Sequence, residues 1–125
     1  MNLVLNSIIL FVNDADQLKK FYVDKLKLEV VEEIPSEWVL LKAGTCTIGL
    51  HKIGQQYQNP SGSNVLSESN TKIVFETTGD LAQIRETLIK ENVNLRELKT
   101  FDNYDYWLCD GEDPEGNVFQ LKQRK

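Results

Sequence analysis

Four polar residues on predicted strands have side chains that could do chemistry: His51, Lys72, Glu76 and Gln120. An imidazole, a carboxylate and an amide oxygen can all ligate divalent metal ions. A lysine amine can act as a base or form a Schiff base with a carbonyl substrate. The same side chains would also supply the polar contacts of a largely apolar small-molecule site. These residue types leave an enzyme and a binding protein open.

Gln120 is positioned by the turn that precedes it in the sequence. Segment 113–117 contains a proline, a glycine and an asparagine, which favour a tight turn. Apolar and polar residues then alternate over 118–122, which predicts a final strand. Phe119 and Leu121 would lie on one side of this strand, and Gln120 on the other. The function therefore depends on which other side chains share the side of Gln120.

The predicted elements occur twice in the same order. The spacing of Asp14 and Gln17 is typical of the start of a helix. Asp80 and Gln83 repeat this spacing 66 residues later. Each helix follows one strand and precedes three more. The fold class is therefore α+β, with two tandem βαβββ modules. The predicted strands are 7–12, 28–32, 37–42, 46–51, 72–77, 93–98, 104–109 and 118–122, and the first helix is 14–26.

The chain has 125 residues, of which 41% are hydrophobic, enough for one domain with a core. We predict a single domain, 1–125, with module one at 1–52, a linker at 53–70 and module two at 71–125. The linker is polar and lacks hydrophobic periodicity, so we expect a loop. A further hypothesis is that residues 55–70 close over the site as a lid.

Net charge and cysteine spacing narrow the class of protein. The net charge of −5 argues against a nucleic-acid-binding protein, which would usually carry a basic patch. No stretch approaches the length of a membrane span, so no membrane partner is expected. Cys46 and Cys109 form no CxxC motif and are predicted to be free thiols in a reducing cytosol. We therefore predict a cytoplasmic location.

The repeat and the ending Asp113-Pro114-Glu115-Gly116-Asn117-x-Phe119-x-Leu121 resemble the vicinal oxygen chelate superfamily. This superfamily includes glyoxalase I, bleomycin-resistance proteins and extradiol dioxygenases. The segments 9–14, 21–22 and 28–30 are similar to the opening of its fold, the first strand and helix. The resemblance implies a curled, cup-shaped mixed sheet with the helices outside, and a homodimer.

The resemblance also implies four metal-ligand positions. These fall on Ser7, Gly49, Lys72 (or Thr71 if the register shifts by one) and Gln120. Only Gln120 is a usual ligand, because glycine has no side chain, serine is a poor ligand and an ammonium repels a cation. We therefore expect no metal and no cofactor. The resemblance is then to the metal-free, bleomycin-resistance-like branch.

A cup without a metal suggests a protein that binds an apolar or aromatic small molecule, as in antibiotic or metabolite sequestration. Aromatic side chains could stack on a planar ligand, although those in 104–107 would equally suit a dimer contact. Two alternatives remain open: a lyase, isomerase or dioxygenase with a non-standard metal or lysine-based site, and an interaction module whose cup is filled. The candidate ligand-binding residues are Phe11, Trp38, His51, Lys72, Glu76, Tyr104, Tyr106, Trp107 and Gln120.

Overall fold

The structure, a computed structural model, describes residues 1–2, 4–54 and 71–125. The chain divides into two compact units, Met1–Ser63 and Asn64–Lys125, and each unit contains one βαβββ module. The predicted fold class is thereby confirmed. The first module comprises β1 (Ser7–Val12), α1 (Ala15–Asp24), β2 (Glu29–Ile34), β3 (Trp38–Ala43) and β4 (Cys46–Lys52). The second comprises β5 (Ile73–Thr77), α2 (Leu81–Lys90), β6 (Asn94–Leu95), β7 (Tyr106–Glu112) and β8 (Val118–Arg124).

Each module forms a four-stranded mixed sheet with the same topology. The strand orders are β1-β4-β3-β2 and β5-β8-β7-β6. The first pair in each sheet is parallel and the others are antiparallel. The predicted linker at 53–70 lies almost wholly outside the described residues. The lid hypothesised at 55–70 lies wholly outside them. That the two sheets line a common cup stays a prediction.

The core of each module lies between its sheet and its helix. Paired apolar residues such as Ile48 and Leu41, or Ile73 and Phe119, share the helix side of a sheet and are buried. The side chain of Leu18 in α1 is fully buried against this layer. The residues predicted to face the helices are buried or half-buried: Ile8, Leu10, Ile48, Leu50, Ile73, Phe75, Phe119 and Leu121.

Both helices begin at the predicted aspartates. The Asp14 carboxylate accepts a hydrogen bond from the backbone N–H of Gln17, and Asp80 accepts from those of Ala82 and Gln83. Helix α1 ends at Asp24, earlier than predicted, because the chain turns back with Lys27 at a φ of 61°. In the described residues, neither helix has the length and apolarity to cross a membrane.

The 113–117 turn is held mainly by one carboxylate. Oδ1 of Asp113 accepts the backbone N–H groups of Glu115 and Asn117, each at 2.9 Å, and Oδ2 accepts Nδ2 of Asn117 at 2.8 Å. Gly116 supplies a φ of 81° that other residues rarely adopt. The turn therefore connects β7 and β8 with little freedom, and the predicted turn is confirmed.

Two predicted strands of the second module differ most from the observed bounds. The predicted strand 93–98 reduces to Asn94–Leu95. The Arg96 carbonyl accepts hydrogen bonds from Nε of Arg85 and Sγ of Cys109 instead of from a backbone N–H of a neighbouring strand. The predicted strand 104–109 becomes Tyr106–Glu112. Residues before it form a turn, with Asn103 at a φ of 61° and a backbone hydrogen bond from Tyr104 to Phe101.

The first prediction concerns Asp113. Asp113→Ala should lower the free energy of unfolding by about 2 kcal/mol, because three charge-assisted hydrogen bonds of a buried turn are lost together. Urea unfolding followed by circular dichroism measures the change. Glu86→Ala removes an exposed carboxylate from α2 and should stay within about 0.5 kcal/mol of the wild type. Equal losses in both variants would contradict the assigned role of Asp113.

Candidate functional site

The side of the first sheet opposite α1 carries a group of apolar and aromatic side chains, which we call the aromatic face. Its residues are in register across β1, β4 and β3: Ile9 pairs with Gly49, Phe11 with His51, and His51 with Trp38. Phe11 leaves 68% of its surface exposed. The ring of His51 lies 5.5 Å from that of Phe11 and 5.9 Å from that of Trp38, centroid to centroid. Three predicted site residues are thus brought together.

Gly49 is what makes room for the indole of Trp38. A Cβ atom at position 49 would lie 2.7 Å from Cζ3 of Trp38, still nearer to Cη2, and 3.3 Å from Cγ1 of Ile9. Real Cβ atoms do not approach carbon atoms so closely, so any larger residue would displace the indole. The small residue at 49 therefore lets the indole of Trp38 lie over β4.

His51 has a defined orientation on this face. Its Nδ1 lies 2.8 Å from the carbonyl oxygen of Lys52. Because a carbonyl oxygen only accepts, Nδ1 carries the proton in this hydrogen bond. In the neutral imidazole Nε2 is then the acceptor, a polar atom among apolar rings.

The side of the second sheet opposite α2 carries a lysine–carboxylate cluster of Lys72, Lys99, Asp110 and Gln120. Asp110 is only 7% exposed. Its Oδ1 accepts Nε2 of Gln120 at 2.8 Å, and its Oδ2 lies 3.1 Å from Nζ of Lys72 and 3.8 Å from Nζ of Lys99. Two predicted site residues, Lys72 and Gln120, therefore meet at a carboxylate.

The surroundings of Asp110 favour its charged form. Burial alone raises the pKa of the Asp110 carboxyl, but hydrogen bonds from Gln120 and Lys72 and the charges of Lys72 and Lys99 outweigh it. The net result is a pKa below the ordinary value for aspartate. Asp110 is therefore a negatively charged group under all but acidic conditions.

Two further candidates lie on the same side of the second sheet. Nζ of Lys122 lies 3.5 Å from Oε1 of Glu76 and 4.3 Å from the ring centroid of Tyr106. Glu76 therefore pairs with Lys122, whereas Lys72 pairs with Asp110. The parallel pairing of β5 with β8 places Glu76 directly beside Lys122.

The last two aromatic candidates need correction. Tyr104 lies in the turn before β7 and not on a strand, with its ring 5.8 Å from that of Tyr106. Trp107 pairs with Gln123, whose Oε1 accepts the backbone N–H of Leu81 in α2. The predicted ligand-binding residue Trp107 therefore lies on the helix side of the sheet and not on the side of Gln120, because side chains alternate along β7.

Sequence reasoning missed Asp110 and Lys99, yet a signal for Asp110 was present. A turn centred on Glu115 pairs residues that lie equally far from it along the chain, which places Asp110 opposite Gln120. Lys99 carried no such signal, because it reaches the cluster through an isolated bridge to Leu108.

The comparison with known families explains this architecture. A model of the Glyoxalase/Bleomycin resistance protein/Dioxygenase superfamily matches residues 4–121. The chain belongs to this superfamily. Its two βαβββ modules are the expected fold of a member. A search among curated proteins found no significant match.

Solved structures show the same superfamily fold at low sequence identity. Lactoylglutathione lyase from Agrobacterium tumefaciens has a TM-score of 0.76 and 17% identity, covering 98% of this chain and 95% of that one. TnmS3, an antibiotic binding protein from Streptomyces sp. CB03234, has a TM-score of 0.76 and 18% identity, covering 99% and 98%. An integron cassette protein from the mobile metagenome of V. cholerae has a TM-score of 0.75 and 19% identity, covering 100% and 98%.

The side chains at the four expected ligand positions do not fit a divalent metal ion. Gly49 offers no ligand and is covered by Trp38. Lys72 presents an ammonium bound to Asp110, and Gln120 donates its amide to the same carboxylate. Within the described ranges, no three His, Cys, Asp or Glu side chains are grouped to hold a metal. Ser7 alone would leave such an ion without the roughly three protein ligands it needs.

The second prediction tests the seating of Trp38. Gly49→Ala should displace the indole and cost about 1–3 kcal/mol of unfolding free energy through overpacking. Denaturant unfolding, followed by tryptophan emission in a Trp107→Phe background, reports both changes. Gly79→Ala is the control, because its Cβ would meet only side-chain ends, Cδ1 of Ile84 at 3.3 Å and Oγ1 of Thr77 at 3.4 Å. An unchanged Trp38 emission in Gly49→Ala would contradict the contact.

The third prediction concerns pH. The folded pKa of Asp110 lies below its unfolded value, so its contribution to stability is complete above about pH 4 and is lost as pH falls through the folded pKa. The free energy of unfolding should therefore fall less between pH 6 and pH 2.5 in Asp110→Asn than in the wild type. Urea unfolding at several pH values measures this, with the exposed Asp102→Asn as control. The same pH dependence in Asp110→Asn and the wild type would contradict it.

Proposed function

We propose that this protein binds a small molecule through a planar aromatic group on the aromatic face, without a metal ion. The observation that carries the proposal is Phe11, exposed at 68% beside the rings of Trp38 and His51. Full burial of a phenylalanine side chain contributes about 1.5–3 kcal/mol, and favourable ring packing about 0.5–1.5 kcal/mol more. An exposed aromatic group of this kind is typical of a binding surface.

The aromatic face is ordered before any ligand binds. Trp38 is seated on Gly49, and the ring of His51 is oriented by its hydrogen bond to Lys52. Because these rings are already held, a ligand loses less free energy to ordering them. Nε2 of His51 adds a hydrogen-bond acceptor for orienting a ligand.

Sequestration is the role that this chemistry supports best. TnmS3, with the same fold, is described as an antibiotic binding protein, and we propose the same kind of activity for this chain. Lactoylglutathione lyase also shares the fold. However, Nζ of Lys72 is engaged in an ion pair with Asp110, whereas a base or Schiff-base catalyst needs a free amine.

The fourth prediction uses the neutral dye N-phenyl-1-naphthylamine as the ligand. The Trp107→Phe protein should bind it, with a change in Trp38 emission and with the same affinity in EDTA. Adding Phe11→Ala should weaken binding about tenfold, because the exposed ring is removed. Adding Phe101→Ala, which removes another exposed phenyl ring from the second module, should leave the affinity unchanged.

Three results would overturn this proposal. They are no binding by the folded protein, equal effects of Phe11→Ala and Phe101→Ala, or an affinity that is lost in EDTA. Circular dichroism and cooperative unfolding of each variant exclude loss of structure as the cause.

A further inference from the structure

Two lysines converge on a single oxygen of one buried carboxylate in the second module. Nζ of Lys72 and Nζ of Lys99 lie 3.1 and 3.8 Å from Oδ2 of Asp110. They come from separate segments, one just before β5 and the other bridged to Leu108 of β7. The other carboxylate oxygen is occupied by Gln120. The fold thus assembles two ammonium groups around one negative charge.

The cluster carries a surplus of positive charge. Asp110 neutralises one of the two ammonium groups, and the neighbouring Lys122 and Glu76 balance each other. This surplus stands out in a chain whose net charge is −5. A fixed local charge of this sign attracts anions even where the whole molecule is acidic.

Both ammonium groups also have N–H donors that a ligand can reach from solvent. The side chains of Lys72 and Lys99 are 42% and 48% exposed, so both reach solvent. Each ammonium has three N–H donors. Lys72 donates to Asp110 at hydrogen-bond distance, whereas the 3.8 Å separation of Lys99 is longer than a hydrogen bond. A ligand with two acceptor oxygens could therefore bridge both lysines.

We propose that Lys72 and Lys99 form a binding site for an oxyanion, the carboxylate or phosphate group of a small ligand. Asp110 holds both ammonium groups at one place, and Gln120 orients Asp110 by its hydrogen bond to Oδ1. Charge-assisted hydrogen bonds to two oxygens favour a carboxylate or phosphate over a single-atom anion. This site goes beyond the proposed aromatic binding and does not depend on it.

The fifth prediction is tested by titrating the whole protein with inorganic phosphate and, separately, with acetate at constant ionic strength. The lysine side-chain signals of Lys72 and Lys99 should shift in NMR spectra and reach saturation. Lys99→Gln and Lys72→Gln should each weaken the apparent Kd about fivefold or more, because one of two charged donors is lost. Lys20→Gln, which removes an exposed lysine from α1, should bind as the wild type does.

Asp110→Asn gives the opposite expectation. It removes the competing negative charge but keeps a side-chain oxygen that can still accept from Lys72, so it should tighten binding of the same anions about threefold or more. Saturation by phosphate only would assign the site to phosphate groups, and saturation by both anions would assign it to oxyanions in general.

The proposal is overturned if all lysine signals shift alike without saturating, or if Lys99→Gln binds as tightly as Lys20→Gln. Weaker anion binding by an Asp110→Asn protein with a wild-type NMR spectrum would also overturn it. If Asp110→Asn does not fold, the lysine variants decide. N-phenyl-1-naphthylamine carries no negative charge, so it does not test the oxyanion site. The aromatic-binding proposal and the oxyanion proposal can therefore fail or succeed separately.

Discussion

The register between β7 and β8 is the constraint on which the second module depends. It is set by the 113–117 turn, in which Asp113 accepts three hydrogen bonds and Gly116 adopts a positive φ. A shift of one residue would move every side chain to the other face of the sheet. Asp110 would then lose Gln120 and face α2, away from Lys72 and Lys99.

The two modules use one topology to present different chemistry. In the first sheet, Gly49 leaves space that Trp38 fills, so the side opposite the helix is aromatic. In the second sheet, Gln120 occupies the position equivalent to Gly49 and donates a hydrogen bond to the carboxylate of Asp110. Both arrangements occupy positions at which the superfamily resemblance implies metal ligands.

Much of the fold was predictable because it depends on local signals. Asp14 and Asp80 mark the helix starts, and alternating apolar residues mark the strands and their helix sides. The bounds at 93–98 and 104–109 were wrong because they depend on distant contacts. The carbonyl of Arg96 is taken by Arg85 and Cys109, which no pattern within the strand reveals.

The sequence by itself determined the repeat, the caps, the final turn and the absence of a usual ligand at Gly49 and Lys72, because each is a property of residue type and short-range spacing. Only the tertiary structure decided that Trp38 covers Gly49, that Trp107 lies on the helix side, and that Lys99 joins Lys72 at Asp110. The physical reason is that these contacts are made across strands. Strand register and burial determine which side chains meet, and the neighbouring residues in the sequence do not.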